Sequence, residues 1–149
     1  MLEDAPAGWR PLILIVDDSP THVAFVRQSL ERWGCRVQVA ATGRQALHLA
    51  RELGPALILM DVIMPDLNGY QATRKLSRNT ITEHIPVVLT SSKSAESDRV
   101  WGLRQGAQAY LVKPFSEEEL IETVQETLER TAREAQAPVA AGTRQHVPA

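Results

Sequence analysis

Short, wholly apolar runs alternate along this chain with segments whose apolar residues recur at helical spacing. Leu12 to Val16 (LILIV) is a continuous apolar run, as a strand requires when both faces of its sheet are covered. In Pro20 to Trp33, Val23, Val26, Leu30 and Trp33 share one helical face, and Gly34 is placed to close the helix. Arg36 to Ala40 (RVQVA) alternates as a strand does. Gly43 to Leu53 carries Ala46, Leu47, Ala50 and Leu53 on one face and is stopped by Gly54-Pro55. The alternation continues with a strand over Ala56 to Met60, the loop MPDLNG, and a helix over Tyr70 to Arg78. A strand over Pro86 to Ser91 precedes a helix over Ser94 to Gln105, closed by Gly106. The last pair is a strand over Ala109 to Val112 and a helix over Ser116 to Arg130, where Leu120, Val124 and Leu128 align and Ser116 and Glu119 form a capping box.

Five strands alternating with five helices predict an α/β fold, a doubly wound five-stranded parallel sheet with helices on both faces. Residues 1–10, rich in Ala, Gly and Pro, read as a loose leader, and 11–134 as the folded unit. From Ala135 the chain has almost no large apolar residue to offset the entropy of ordering, so 135–149 reads as a disordered tail.

Composition narrows the function. The 149 residues are about one domain's worth, leaving no room for an appended DNA-binding domain. A formal charge of −2 offers no cationic field for nucleic acid or an anionic membrane surface. No apolar run approaches the roughly 18 to 20 residues of a membrane span, and no basic-then-apolar signal opens the chain. The single cysteine, Cys35, fits a cytoplasmic protein.

Ligands of such sheets sit beyond the carboxyl ends of the strands. The first run ends in Asp17-Asp18, the third in Asp61, the fourth in Thr90-Ser91-Ser92, and the fifth in Lys113-Pro114. Taken singly, each has a plain structural reading: Asp18 and Ser19 as helix caps, Asp61 as a loop acid, Lys113 as a surface lysine. Their convergence on one rim changes the weighing. Carboxylates held together repel unless a cation compensates, and Mg2+ suits oxygen ligands while keeping waters that a phosphate oxygen can replace. Lys113 can neutralise further charge, and the Ser91 hydroxyl can donate to a phosphoryl oxygen.

At these residues the sequence resembles the receiver domain of bacterial two-component response regulators, whose fold is a flavodoxin-like (βα)5 unit. The matching segments are ILIVDDSP, ILMDVIMPDLNGYQATRKL, IPVVLTSS and GAQAYLVKPF, spread over 11–134. The resemblance implies that Asp61 is the phosphoacceptor and that Asp17, Asp18, Asp61 and the Ile63 backbone carbonyl hold Mg2+. It makes Ser91 the switch hydroxyl, with Thr90 turned the other way, Lys113 the phosphate-pairing lysine, and Tyr110 the switch aromatic. It also implies a sensor histidine kinase as phosphohistidine donor and a downstream protein target on the face of the fourth helix, fifth strand and fifth helix. DDSPTHVAFVRQSLERWG, LNGYQATRKL and DRVWGLRQGAQAYLVKP further resemble single-domain regulators of type IV pilus twitching motility and their chemotaxis-like relatives. Such a chain is a switch that catalyses only its own phosphorylation and dephosphorylation.

Ile63 and Lys93 flank the phosphate in that family. Isoleucine cannot orient an attacking water, so slow self-dephosphorylation is expected. Trp101 lies about 100° of helix from Val100, whose stripe continues to Leu103 and Ala107. It reads either as a partly exposed anchor for a partner or as a ring packed over the neighbouring strand. His22, His48, His84 and His146 lack metal-ligand spacing and read as surface residues. Cys35 reads as a structural thiol, Arg99 and Arg104 as charges for an acidic partner, and Lys113-Pro114 as a candidate cis bond. A phosphatase with an Asp nucleophile would need a second acid at Ile63 and is discounted. A pseudo-receiver binding module and a receiver taken from a hybrid kinase remain the alternatives.

Overall fold

The computed structural model describes residues 8–136. Residues 1–7 of the predicted leader and 137–149 of the predicted tail, including His146, lie outside the described residues. Strands β1 (Leu12–Val16), β2 (Arg36–Ala40), β3 (Leu57–Asp61), β4 (Val87–Ser91) and β5 (Ala109–Val112) alternate with helices α1 (Pro20–Trp33), α2 (Gly43–Leu53), α3 (Gly69–Ser77), α4 (Glu96–Arg104) and α5 (Glu117–Gln136). All strand pairs are parallel, in the order β2-β1-β3-β4-β5. The expected doubly wound α/β sheet is therefore observed.

The continuous apolar runs follow from double coverage. Alternate residues of one strand enter opposite layers: Leu14, Val16, Ile58 and Met60 pack with Ala46 and Ala50 of α2 and Ala72 and Leu76 of α3. Ile13, Ile15, Leu57 and Leu59 pack with Val26 and Leu30 of α1 and Leu120, Val124 and Leu128 of α5. Each fully buried Leu, Ile or Val in these layers is worth about 1.5–3 kcal/mol over leaving it exposed, which makes the sheet the rigid base of the rim.

Helix ends differ from the periodicity where caps decide them. α3 begins at Gly69 rather than Tyr70, because Asn68 accepts from the Gln71 N–H at 2.9 Å and the Gln71 side chain accepts from the Asn68 N–H at 3.1 Å. α4 begins at Glu96, two residues after the expected Ser94, and its N-cap Ala95 makes no side-chain capping bond. α5 continues past Arg130 to Gln136, and the expected Ser116–Glu119 capping box starts it with bonds of 2.9 and 3.0 Å. Leu53, expected on the packed face of α2, is the helix's last residue and is 42% exposed. The Lys113-Pro114 bond is cis.

Candidate functional site

Register brings the acids together. β1 and β3 are hydrogen-bonded neighbours with Val16 opposite Met60, so Asp17 and Asp61, each one residue further on, leave the sheet side by side. Ser91 ends β4 opposite Val112, and Lys113 follows Val112 directly. Carboxylate oxygens of Asp17, Asp18 and Asp61 all lie within 4.8 Å of one another. Asp17 and Asp61 are buried, whereas Asp18 faces solvent. Lys113 reaches over both buried acids, its Nζ donating to Asp17 Oδ2 at 3.2 Å and Asp61 Oδ1 at 3.3 Å. Among the described residues no other lysine or arginine pairs with either acid.

The two buried carboxyls are driven apart electrostatically. Burial pushes the Asp61 carboxyl above the ordinary carboxylate range; Lys113 offsets part of this, and the charge of Asp17 adds to it. Burial opposes ionisation of Asp17 as well, but bonds from His22, the Ser19 N–H and Lys113 outweigh it and hold Asp17 below the ordinary range. Ionised Asp61 is thus a cost of the folded state. Because its folded pKa is raised, its contribution to stability is present below the unfolded value, about 3.9, and is lost as pH rises through the folded one. Asp61→Asn is expected to raise stability in metal-free buffer at neutral pH by about 1 kcal/mol, or roughly 3 to 5 °C in Tm. Thermal melts across pH check this: the gain should shrink in acid, where wild-type Asp61 is already protonated.

Three carboxylates against one paired ammonium leave an excess of negative charge carried by hard oxygen donors. That donor set, open to solvent at Asp18, fits a hard divalent cation of the Mg2+ kind, with waters completing its shell.

The remaining rim residues connect the site to the surface. The Ser91 hydroxyl oxygen accepts from the Lys93 N–H at 3.0 Å, and the Tyr110 hydroxyl donates to the Lys93 carbonyl at 2.9 Å. Lys93 in the β4–α4 loop therefore ties Ser91 to Tyr110. Thr90 follows Val88 on the sheet face toward α1 and α5, and Ser91 follows Leu89 on the other, the alternation expected of a strand. Ile63, two residues beyond Asp61, is 57% exposed, and Trp101 on α4 is 49% exposed. Val100 and Leu103 are half-buried and Ala107 is buried, so the stripe faces inward and the Trp101 ring stands beside it.

Two participants escaped the sequence reading. His22, expected at the surface, is half-buried and places Nδ1 at 2.7 Å from Asp17 Oδ2. Its ring lies edge-on to Phe115, centroids 5.3 Å apart. Asp66 accepts from the Gly43 and Arg44 N–H groups at 2.9 and 3.1 Å, pinning the β3–α3 loop to the start of α2. A Ser-Pro helix start with His at its third position, and an acid within MPDLNG, were the available signals. Among the other histidines His48 and His84 are exposed, as expected. Cys35 is buried and its thiol is pushed up to about 11 by burial, in keeping with a structural role. Arg99 is paired with Glu96 of its own helix at 2.7 Å, whereas Arg104 is exposed.

Residues 13–125 match the model of the response regulator receiver domain. Protein PilH of Pseudomonas aeruginosa is 47% identical over 116 residues, covering 78% of this chain and 96% of PilH. Among solved structures, the chemotaxis response regulator CheY4 of Vibrio cholerae superposes with a TM-score of 0.76 at 29% identity, covering 80% of this chain and 99% of that one. The receiver domain of a Pseudomonas aeruginosa sensor histidine kinase, with a magnesium ion coordinated in its active site cleft, gives 0.75 at 31% identity over 81% of this chain and 99% of its own. No helix of the described residues is long and apolar enough to cross a membrane. The chain belongs to the response regulator receiver domain family.

Proposed function

We propose that this chain is a phosphoacceptor switch whose receiver unit spans about 11–134, taking a phosphoryl group from a phosphohistidine of a sensor kinase onto Asp61. The observation that carries this reading is the meeting of Asp61 with Asp17, Asp18 and Lys113 at the carboxyl ends of β1, β3 and β5. A carboxylate oxygen of Asp61 attacks phosphorus in line, the P–N bond to the kinase imidazole breaks, and the leaving nitrogen takes a proton from solvent. Asp17 and Asp18, with Asp61 and the Ile63 carbonyl, are the residues that would hold Mg2+, which when bound supplies positive charge to the phosphoryl oxygens. Lys113 sits where its ammonium reaches Asp61 and can follow the added charge onto the phosphoryl group. Catalysis is positioning and charge, turned on the protein itself.

The Ser91 bond supports the output step. Its oxygen accepts from Lys93, leaving the hydroxyl hydrogen free to donate to a phosphoryl oxygen. Movement of Ser91 toward the phosphoryl group draws on Lys93, and Lys93 on Tyr110, so charge at Asp61 reaches the face of α4, β5 and α5. Trp101 is an exposed aromatic anchor for a downstream protein on that face. Likeness to PilH, together with the segment DRVWGLRQGAQAYLVKP, favours pilus twitching motility or chemotaxis-like control in the cytoplasm.

Ile63 offers no polar group to orient an attacking water, and it stands exposed at the mouth of the site. The phosphorylated form of the wild type is expected to last minutes or longer, and Ile63→Asn to shorten it, as read by loss of the phosphoryl mass after donor removal. The primary test is incubation with Mg2+ and a small acyl phosphate, followed by intact-mass measurement. One added phosphoryl group on wild type and none on Asp61→Asn supports the reading; labelling that persists in Asp61→Asn overturns it.

A further inference from the structure

We infer that His22 is a positioning residue for the cation site, holding the Asp17 carboxylate in its ligating orientation. The inference rests on the proposed cation role of Asp17 and goes beyond it, because His22 is not one of the cluster's ligand-bearing acids. Asp17 is held from three directions. The Ser19 N–H donates to Oδ1 at 2.9 Å, while His22 Nδ1 and Lys113 Nζ both approach Oδ2, at 2.7 and 3.2 Å. A carboxylate only accepts, so Nδ1 carries the hydrogen. The imidazole is itself fixed, packed edge-on to Phe115 at 5.3 Å and near Phe25 at 6.4 Å between centroids.

The distances give the bond a purpose. Lys113 is shared almost evenly between Asp17 and Asp61, at 3.2 and 3.3 Å. The shorter bond from His22 fixes the plane of the Asp17 carboxylate, while Lys113, with three donors, bonds Asp17 and Asp61 at once. Without His22, the carboxylate loses one of the bonds that fix its plane and the lysine becomes the remaining side-chain donor to Oδ2. Hydrogen-bond partners of ligating groups typically contribute about 10- to 100-fold to metal affinity.

The test is calorimetric titration of Mg2+ into the full chain, comparing wild type with His22→Leu, which keeps apolar bulk between Phe25 and Phe115, and His22→Asn, whose amide N–H can stand in for Nδ1–H. Affinity is expected to fall about tenfold in His22→Leu, and His22→Asn should recover most of it. In acyl-phosphate labelling, the half-saturating Mg2+ concentration should rise in His22→Leu while the rate at saturating Mg2+ stays near wild type. Should His22→Leu fail to fold, His22→Phe, which keeps an aromatic ring without the donor, carries the same expectation. Wild-type affinity in the folded variant that lacks the donor, or equal loss in His22→Asn, overturns the inference while leaving the cation site intact. Absence of Mg2+ binding to wild type overturns the cation reading itself and the role of His22 with it.

Discussion

Lys113→Met is expected to slow phosphorylation of Asp61 by about 100-fold at saturating Mg2+, the typical loss when one preorganised charge-stabilising group is removed. The direction follows from the pairing: Lys113 is the ammonium that bonds to both buried acids, and its Nζ lies 3.3 Å from Asp61 Oδ1. The same change should lower stability in metal-free buffer by about 1–3 kcal/mol, because it leaves two buried carboxylates without their cation. Mg2+ should restore part of that stability by mass action. Asp61→Asn and Lys113→Met therefore remove partners of one ion pair with opposite effects on Tm. A desolvated, repelled carboxylate is lost in the first and its compensating charge in the second. Thermal melts with and without Mg2+, together with labelling rates, check this; a Lys113→Met protein that labels at the wild-type rate would show that the lysine does not act on the transferred group.

Gly69→Ala is expected to cost about 2–3 kcal/mol, at the upper end of ordinary overpacking. A Cβ on Gly69 would lie 2.4 Å from the Asp61 carbonyl oxygen and 2.9 Å from Val62 Cα. Both are backbone atoms, so no side chain can swing away, and relief requires moving the end of β3 or the start of α3. Either shift displaces the carboxylate that leaves the sheet at Asp61. The Gly69 N–H also donates to the Val62 carbonyl at 2.8 Å, so the close approach is bonded as well as packed. Urea unfolding gives the stability loss and acyl-phosphate labelling the loss of function; a variant within about 0.5 kcal/mol of wild type, the range of an ordinary surface change, would mean that the turn relaxes without strain.

The central strands were legible because both their faces are buried. LILIV and ALILM carry no polar residue to mark a solvent side, and each run ends where the chain leaves the sheet at an acid. That made Asp17 and Asp61 visible as rim residues, but not their distances, which depend on the register Val16 opposite Met60. The start of α4 was less legible: the helix was expected from Ser94, yet Ala95 is its N-cap, makes no side-chain bond, and the helix begins at Glu96. Asn68 and Gln71 form a capping box that the apolar periodicity of Tyr70 to Arg78 does not reveal. His22 was misread for a different reason. Its partner Asp17 is five residues back across a turn, a spacing that acquires meaning only when α1 folds over the end of β1. Periodicity reports which face is buried, and not which polar group a neighbouring element presents.

Whether the side chain of Asp61 carries the phosphoryl group is read out by reductive trapping. Borohydride converts an aspartyl phosphate to homoserine and leaves a free aspartate unchanged. Wild-type protein labelled by acyl phosphate in Mg2+, reduced and digested, should yield homoserine at position 61 and aspartate at positions 17 and 18. Homoserine at 17 or 18, or phosphate retained on a serine or threonine such as Ser91 with Asp61 intact, would mean that Asp61 is not the phosphoacceptor.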